Sequence, residues 1–179
     1  MLFSFQLFIF LLFTPNQTMI IYDFNKECNP NDWKIVDDVV MGGRSDGNFK
    51  VDEDGNGAFF GHVSIRNNGG FSSVRYNFET VSGDAFRKFK IHLKGDGKKY
   101  QFRVKSNQND RHSYVFQFPT SGEWEVIEIP FSEMTPAFRG RTLAISNFSG
   151  NRMEELAFLI GNKKEEDFRL EIGSVKLSK

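Results

Sequence analysis

The chain has 179 residues, a length that suits one domain with a substantial hydrophobic core. Its 23 basic and 23 acidic residues balance to zero, so the net charge favours neither nucleic acid nor an anionic membrane surface as a partner. The single cysteine, Cys28, excludes an internal disulfide framework.

The first eighteen residues differ from the rest because they are almost wholly apolar. Polar residues interrupt Leu2 to Phe13 only twice, and no charged residue precedes Asp23. As a helix this segment would cover about 18 Å, too little to cross about 30 Å of hydrocarbon. It resembles the apolar region of a signal peptide, although a basic start and a cleavage site are missing. We expect residues 1–18 to direct export, the alternative being a cytoplasmic protein that starts at Met19.

From Ile20 onward, apolar and polar residues alternate with a period of two, which is typical of strands with one buried face. The alternating segments are 71–78, 89–93, 100–104, 114–118, 124–129 and 168–172, and IIYDF at 20–24 is predicted to be the first strand. Turn-forming sequences such as DGNG, NGG and GDG separate them. Only Arg152 to Leu156 suggests a helical turn. We predict that residues 19–179 form one all-β domain, an antiparallel β-sandwich or jelly roll.

Two glycine pairs, Gly42-Gly43 and Gly69-Gly70, punctuate strand-like runs in the first half of this domain. Glycine is needed where the backbone has a positive φ or where another group approaches it closely. The polar residues around the pairs are not required by a simple hairpin. We therefore predict a recognition site in which the two loops lie close together. The candidate partner- or ligand-binding residues are Asp37, Asp38, Met41, Gly42, Gly43, Arg44, Ser45, Asn67, Asn68, Gly69, Gly70, Phe71, Ser73 and Arg75.

These residues admit a second interpretation. The polar side chains would then hydrogen-bond to one another and lock the loops over the end of the sandwich, as buried polar groups in folded domains usually do. In that case a rigid pair of loops would preorganise the site.

Motifs that would indicate a cofactor or catalysis are incomplete. Residues 52–57 match the first half of a calcium loop, but Val63 stands where a bidentate Glu is needed, so we predict a polar hairpin turn. Residues 42–47 lack the lysine of a phosphate-binding loop. Asp37 and Asp38 are adjacent and would face opposite sides of a strand. We therefore predict no metal, no cofactor and no catalytic residue.

Histidines and aromatic residues give weaker signals. The three histidines have no carboxylate or cysteine at ligand spacing and are predicted to be unrelated surface or edge residues: His62, His92 and His112. Three aromatic residues are candidates for an exposed binding platform, although core positions are favoured for each: Tyr114, Trp124 and Phe131.

An ordered set of motifs runs from residue 36 to residue 172, and the family resemblance that it carries covers roughly Ile20 to Leu177. It comprises VDDVVMGGRSDGNF at 36–49, FGHVSI at 60–65, NNGGF at 67–71, SVR at 73–75, KGDGKKY at 94–100, GEWEV at 122–126, IPFS at 129–132, RG at 139–140 and FRLEI at 168–172. In this order the motifs resemble the complex I intermediate-associated protein 30 family.

The resemblance implies a galactose-binding-like jelly roll and a non-enzymatic role. Mitochondrial members of the family are assembly factors that bind partly built respiratory complex I as chaperones. We therefore expect a stand-alone, monomeric bacterial member with protein partners, to be sought among respiratory complex subunits. The alternative is a carbohydrate-binding module of the cell envelope, and an enzyme acting on sugars ranks below both.

Overall fold

The period-two pattern of the sequence produces strands, and these form two antiparallel sheets in the computed structural model, which describes residues 17–179. The first sheet contains β1 (Thr18–Asp23), β3 (Asp46–Val51), β4 (Gly57–Val63), β6 (Lys88–Lys94), β9 (Trp124–Pro130) and β13 (Glu166–Ser178). The second contains β2 (Trp33–Asp37), β5 (Ser72–Val81), β7 (Lys99–Lys105), β8 (Ser113–Pro119), β10 (Thr135–Phe138), β11 (Arg141–Thr142) and β12 (Met153–Ile160). The predicted all-β sandwich is confirmed.

The strand order places sequence-distant segments side by side. The first sheet has the order β3-β4-β13-β6-β9, with β1 paired to β13, and the second has the order β11-β10-β8-β7-β12-β5-β2. The helical elements of the described residues are 3-10 turns at Pro30–Asp32, Asp38–Met41, Arg66–Asn68 and Phe131–Glu133. Among residues 17–179, none of the helices has the length and apolar character that crossing a membrane requires.

Phenylalanine fills much of the space between the sheets. Phe89 of the first sheet meets Phe102 of the second edge-on, with their ring centroids 4.9 Å apart, and Phe158 lies 5.4 Å from Phe102. All three rings are fully buried. Because a buried aromatic side chain removes about 150–250 Å² from water, this packing accounts for much of the unusual phenylalanine content.

The expected helical turn at Arg152 to Leu156 is wrong, because these residues enter strand β12. Every residue from Met153 to Ile160 is buried, so the strand lacks the alternation that marked the others. It lies between β5 and β7 in the middle of its sheet. The sequence of a strand that is buried on both faces lacks apolar–polar alternation. Its hydrophobic pattern therefore does not distinguish it from a buried helix.

The hairpin between β3 and β4 confirms the polar turn predicted at residues 52–57. Asp52 Oδ1 accepts hydrogen bonds from the backbone N–H groups of Asp54 and Asn56, at 3.0 and 2.8 Å. The carboxylate of Asp52 therefore stabilises the turn itself.

The first and last described strands pair with each other. In the β1–β13 ladder Thr18 lies opposite Ser178 and Asp23 opposite Ser174. The apolar N-terminal segment lies outside the described residues, except for Gln17 and Thr18 at its end.

Candidate functional site

The two glycine-pair loops meet at one buried carboxylate. Strand β2 ends at Asp37, and the chain turns at Asp38 into the 3-10 turn Asp38–Met41. The sequence suggested that Asp37 and Asp38 face opposite sides of one strand. This expectation is wrong, because only Asp37 belongs to the strand. The turn sends the Asp38 side chain inward, where it has no solvent exposure.

Asp38 accepts hydrogen bonds from both loops. Its Oδ1 accepts from the backbone N–H of Ser45 at 3.0 Å, and its Oδ2 accepts from the Ser45 hydroxyl at 2.5 Å. The same Oδ2 accepts from the backbone N–H groups of Gly70 at 2.6 Å and Phe71 at 3.2 Å. The prediction that the two loops lie close together is confirmed by this shared acceptor.

Each glycine pair divides the same two tasks between its members. Gly42 and Gly70 have positive φ angles of 88° and 134°, which favour glycine. A Cβ atom on Gly43 would overlap Asp38 Oδ1, and one on Gly69 would lie 2.6 Å from Asp38 Oδ2. In both loops, one glycine therefore turns the chain and the other makes room for the Asp38 carboxylate.

The hydrogen bonds to Asp38 keep it ionised despite its burial. Burial alone would raise the pKa of this carboxyl, because it penalises the charged form. The Ser45 hydroxyl and the backbone N–H groups of Gly70, Ser45 and Phe71 stabilise the carboxylate and outweigh burial, so the pKa of Asp38 lies below its usual value. The site thus holds a buried negative charge that is fully solvated by the protein.

Neighbouring polar groups also form hydrogen bonds within the protein. Asp37 Oδ1 accepts from the Ser72 hydroxyl at 2.5 Å, and its Oδ2 accepts from the backbone N–H of Gly47 at 2.9 Å. The Ser73 hydroxyl donates to the Val36 carbonyl at 2.8 Å. For these side chains and for Asp38 and Ser45, the structure agrees with the interpretation in which polar groups lock the loops.

Other members of the predicted set face solvent. Met41, Gly42, Arg44, Asn67 and Asn68 are exposed, and both asparagines have positive φ angles, of 55° and 59°. The locked loops therefore present a separate outer surface. Whether that surface binds a partner remains a prediction.

Four members of the predicted set also line an open cavity of about 760 Å³ on the outer face of the second sheet: Met41, Gly70, Phe71 and Arg75. Its remaining lining comes from β7, the start of β8, the end of β12 and the β10–β11 hairpin: Arg103, Lys105, Arg111, Ser113, Ala137, Phe138, Arg139, Gly140, Leu159 and Gly161. We call this cavity the sheet groove.

Two arginines form the floor of the sheet groove. Strand register places Arg75 of β5 and Arg103 of β7 on either side of Ala157, a nearly buried alanine of β12. Arg103 donates from Nε and Nη2 to Gln101 Oε1 at 3.0 and 2.8 Å. Burial lowers the pKa of Arg103, and the positive charge of Arg75 lowers it further, while Glu155 opposes them. Because arginine stays protonated in proteins, the floor carries two like charges close together.

The β10–β11 hairpin forms one wall of the sheet groove. The guanidinium carbons of Arg111 and Arg139 lie 5.0 and 5.4 Å from the ring centroid of Phe138, within the range of a cation–π interaction. These contacts orient two more positive charges towards the same cavity.

Sequence reasoning missed Arg103, Arg111 and Arg139, and the balanced net charge concealed their clustering. Arg103 alternates with the buried Phe102 and Val104, so an outward orientation could have been predicted. Its position beside Arg75 depends on both strands pairing with β12, which no local pattern reveals.

Of the three aromatic residues for which core positions are favoured by the sequence, Phe131 lies in the core and Trp124 does not. Phe131 is buried in the core, and Tyr114 is partly buried against Phe148. Trp124 is exposed, but it lies on the first sheet and stacks on His92, with ring centroids 4.7 Å apart. As predicted, the side chain of His92 faces solvent.

The histidines do not assemble a metal site. His62 Nδ1 lies 2.7 Å from Asp167 Oδ1, a contact across β4 and β13 that sequence spacing did not predict. Within residues 17–179, no cluster of three or more histidine, cysteine or acidic side chains is placed to hold a metal ion.

The family model of complex I intermediate-associated protein 30 matches residues 22–172. The mitochondrial protein of that name from Drosophila melanogaster is 26% identical over 93% of this chain, which spans 65% of that relative's length. An uncharacterised protein of Schizosaccharomyces pombe is 25% identical, with 88% of this chain and 83% of its own length covered.

Among solved structures, the fold is similar to a family 11 carbohydrate-binding module from Clostridium thermocellum in complex with a β-1,3-1,4-mixed-linked tetrasaccharide. The TM-score is 0.64 and the identity is 17%, with 92% of this chain and 96% of the module covered. At this identity the likeness establishes the fold, a jelly roll of the galactose-binding type.

Proposed function

Because the chain belongs to the complex I intermediate-associated protein 30 family, we propose that it is a non-catalytic binding domain that assists the assembly of a membrane-associated respiratory complex. The family match covers most of the chain and supports an assembly-related role. The carboxylates that sequence reasoning considered for catalysis, Asp37 and Asp38, are occupied by backbone and hydroxyl donors, which supports a role without acid–base chemistry.

One observation carries the choice of a protein partner. The loops around Asp38 expose large apolar side chains: Val39 is 59% exposed, Met41 57% and Ile65 49%. Large apolar side chains exposed on neighbouring loops suit an interaction surface. Since the Asp38 hydrogen bonds already order the backbone beneath them, less conformational entropy is lost when a partner binds.

Crosslinking in the native cell tests this proposal. A tagged protein is crosslinked and purified, its partners are identified by mass spectrometry, and native electrophoresis asks whether it migrates with partly assembled complex I. We expect respiratory subunits with the wild type and a loss of most of them with Met41→Asp. Val126→Asp is the matched control, because Val126 is 56% exposed on β9 of the other sheet. Equal recovery from both variants would contradict the assignment of this surface.

A second candidate function is carbohydrate binding, which the likeness to a carbohydrate-binding module and the open sheet groove favour. The groove is less suited to a neutral sugar, because such ligands stack on open aromatic faces and Arg111 and Arg139 already contact the Phe138 ring. Binding to a glycan array together with an absence of crosslinked respiratory subunits would select this function over the first.

A further inference from the structure

The sheet groove concentrates positive charge on a protein whose net charge is zero. Five of its lining side chains are cationic: Arg75, Arg103, Lys105, Arg111 and Arg139. The lining itself contains no acidic residue. Glu155, which is buried in β12, compensates part of this charge, since its Oε1 lies 3.8 Å from Lys105 Nζ.

Apolar surface alternates with these charges along the groove. Met41 and Phe71 lie at the end near the glycine-pair loops, Leu159 lies in the floor, and Phe138 lies at the hairpin end. A fully hydrated anion would gain nothing from these side chains. The combination instead suits a ligand that carries carboxylates and apolar groups on one chain.

The dimensions of the groove agree with an extended polypeptide. It crosses the sheet from β5 through β12, β7 and β8 to β10, which is four strand spacings or about 19 Å. An extended chain advances about 3.3 Å per residue, so about six residues span this distance. The segment would run across the strands and be held by its side chains.

We propose that the sheet groove binds an acidic, extended segment of a partner protein. Arg75 and Arg103 hold carboxylates at the floor, and Arg111 and Arg139 hold them at the hairpin. Apolar side chains of the segment pack on Phe71 and Leu159. Arginine suits this task because its planar fork donates two parallel hydrogen bonds to a carboxylate. This proposal rests on the proposed function and names the chemistry of the partner.

Fluorescence anisotropy with a labelled EEFEEL peptide tests the charge requirement. We expect saturable binding that weakens at least about tenfold between 50 and 300 mM salt, because exposed charges are screened. The QQFQQL and KKFKKL peptides keep the apolar residues and are expected to bind at least about tenfold more weakly. Binding of QQFQQL equal to that of EEFEEL would overturn the proposal.

Matched variants locate the binding. The double variant Arg75→Gln/Arg103→Gln should lose at least about tenfold in affinity for EEFEEL. Arg169→Gln, on β13 of the first sheet, should stay within about twofold of the wild type. Thermal melting checks that both variants fold. An unchanged affinity of the folded double variant would overturn the proposal.

Competing ligands and the crosslinking experiment separate this inference from the function on which it rests. Displacement of the peptide by an oligogalacturonate, phosphatidylglycerol vesicles or poly(U) at lower concentration than unlabelled EEFEEL would overturn the assignment of a polypeptide. Recovery of respiratory subunits by Arg75→Gln/Arg103→Gln at the wild-type level would overturn the groove and leave the proposed function standing. A wild type that binds EEFEEL through these arginines yet recovers no respiratory subunits would support the groove and contradict the assembly role.

Discussion

Asp38 organises the candidate site through four hydrogen bonds rather than by meeting a ligand. Its carboxylate joins the backbone of residue 45 to that of residues 70 and 71, and no part of it reaches solvent. A buried charge is tolerated only when its hydrogen-bonding capacity is satisfied. The two loops and the carboxylate therefore stabilise one another.

Asp38→Asn should lower the free energy of unfolding by about 2–4 kcal/mol at neutral pH, because an amide nitrogen would face the N–H groups that the carboxylate now accepts from. Chemical denaturation monitored by tryptophan fluorescence measures this loss. Asp54→Asn is the control, since Asp54 is an exposed residue of the β3–β4 turn, and it should change stability by less than about 0.5 kcal/mol.

The stability conferred by Asp38 should also depend on pH. Because the folded pKa is lowered below the unfolded value of about 3.9, its contribution is complete above that value and declines as the pH falls through the folded pKa. The stability difference between wild type and Asp38→Asn should therefore shrink below about pH 4. A difference that stays constant into strong acid would contradict an ionised Asp38.

Glu154 offers a second acid-sensitive position, away from the groove. The Thr80 hydroxyl, Arg152 and the backbone N–H of Gln108 lower the pKa of Glu154 to about 2. Since an unfolded glutamate titrates near about 4.3, Glu154→Gln should destabilise the protein above that pH and have a shrinking effect towards pH 2. Carbon-detected NMR titration of the Glu154 carboxyl measures the pKa directly, and a midpoint near 4 would refute the assignment.

In the first glycine loop, the two glycines are required for different reasons: Gly42 for its positive φ and Gly43 for its closeness to Asp38. Gly42→Ala adds only backbone strain at a positive φ, which costs about 1–2 kcal/mol. Gly43→Ala places a methyl group on the Asp38 carboxylate and must displace it, so we expect a loss of about 3 kcal/mol or more. Thermal or urea unfolding of the two variants ranks them, and the reverse order would show that Asp38 can move freely.

Strands with one wet face could be predicted from the sequence, whereas a strand buried on both faces could not. The alternation in 89–93 and 100–104 corresponds to β6 and β7. In β12 every residue is buried, which removes that alternation, and the sequence of residues 152–156 suggested a helical turn instead. The physical reason for the error is that burial there comes from tertiary pairing.

The candidate site was predicted in part for a similar reason. Glycine pairs mark local backbone requirements, so the loops around Asp38 were readable from the sequence. Arg103, Arg111 and Arg139 join Arg75 only because five strands lie side by side in a fixed order. The glycine-pair loops at one end of the groove could therefore be predicted from the sequence, and the arginines at the β10–β11 hairpin could not.

At the scale of the whole molecule, most strand pairs join segments that are far apart in the sequence. β2 pairs with β5, β4 with β13, and β1 with β13. Non-local pairing slows folding, because long loops must close before any contact forms.

We expect refolding in milliseconds to seconds rather than microseconds. Stopped-flow fluorescence of a Trp124→Phe variant measures the rate, since the buried Trp33 then remains as the single tryptophan. Refolding in less than a millisecond would show that local structure guides the process more than the topology implies.

The pairing of β1 with β13 brings the two ends of the described chain next to each other, with Thr18 opposite Ser178. A jelly roll whose ends are adjacent can be inserted into a loop of another protein without distorting the host. The two junctions are then separated by only about the distance between neighbouring strands. The same closeness makes circular permutation of residues 17–179 feasible, with Gln17 and Lys179 joined by a short flexible linker. The domain can therefore be inserted into another protein as a unit, so that the host displays the sheet groove.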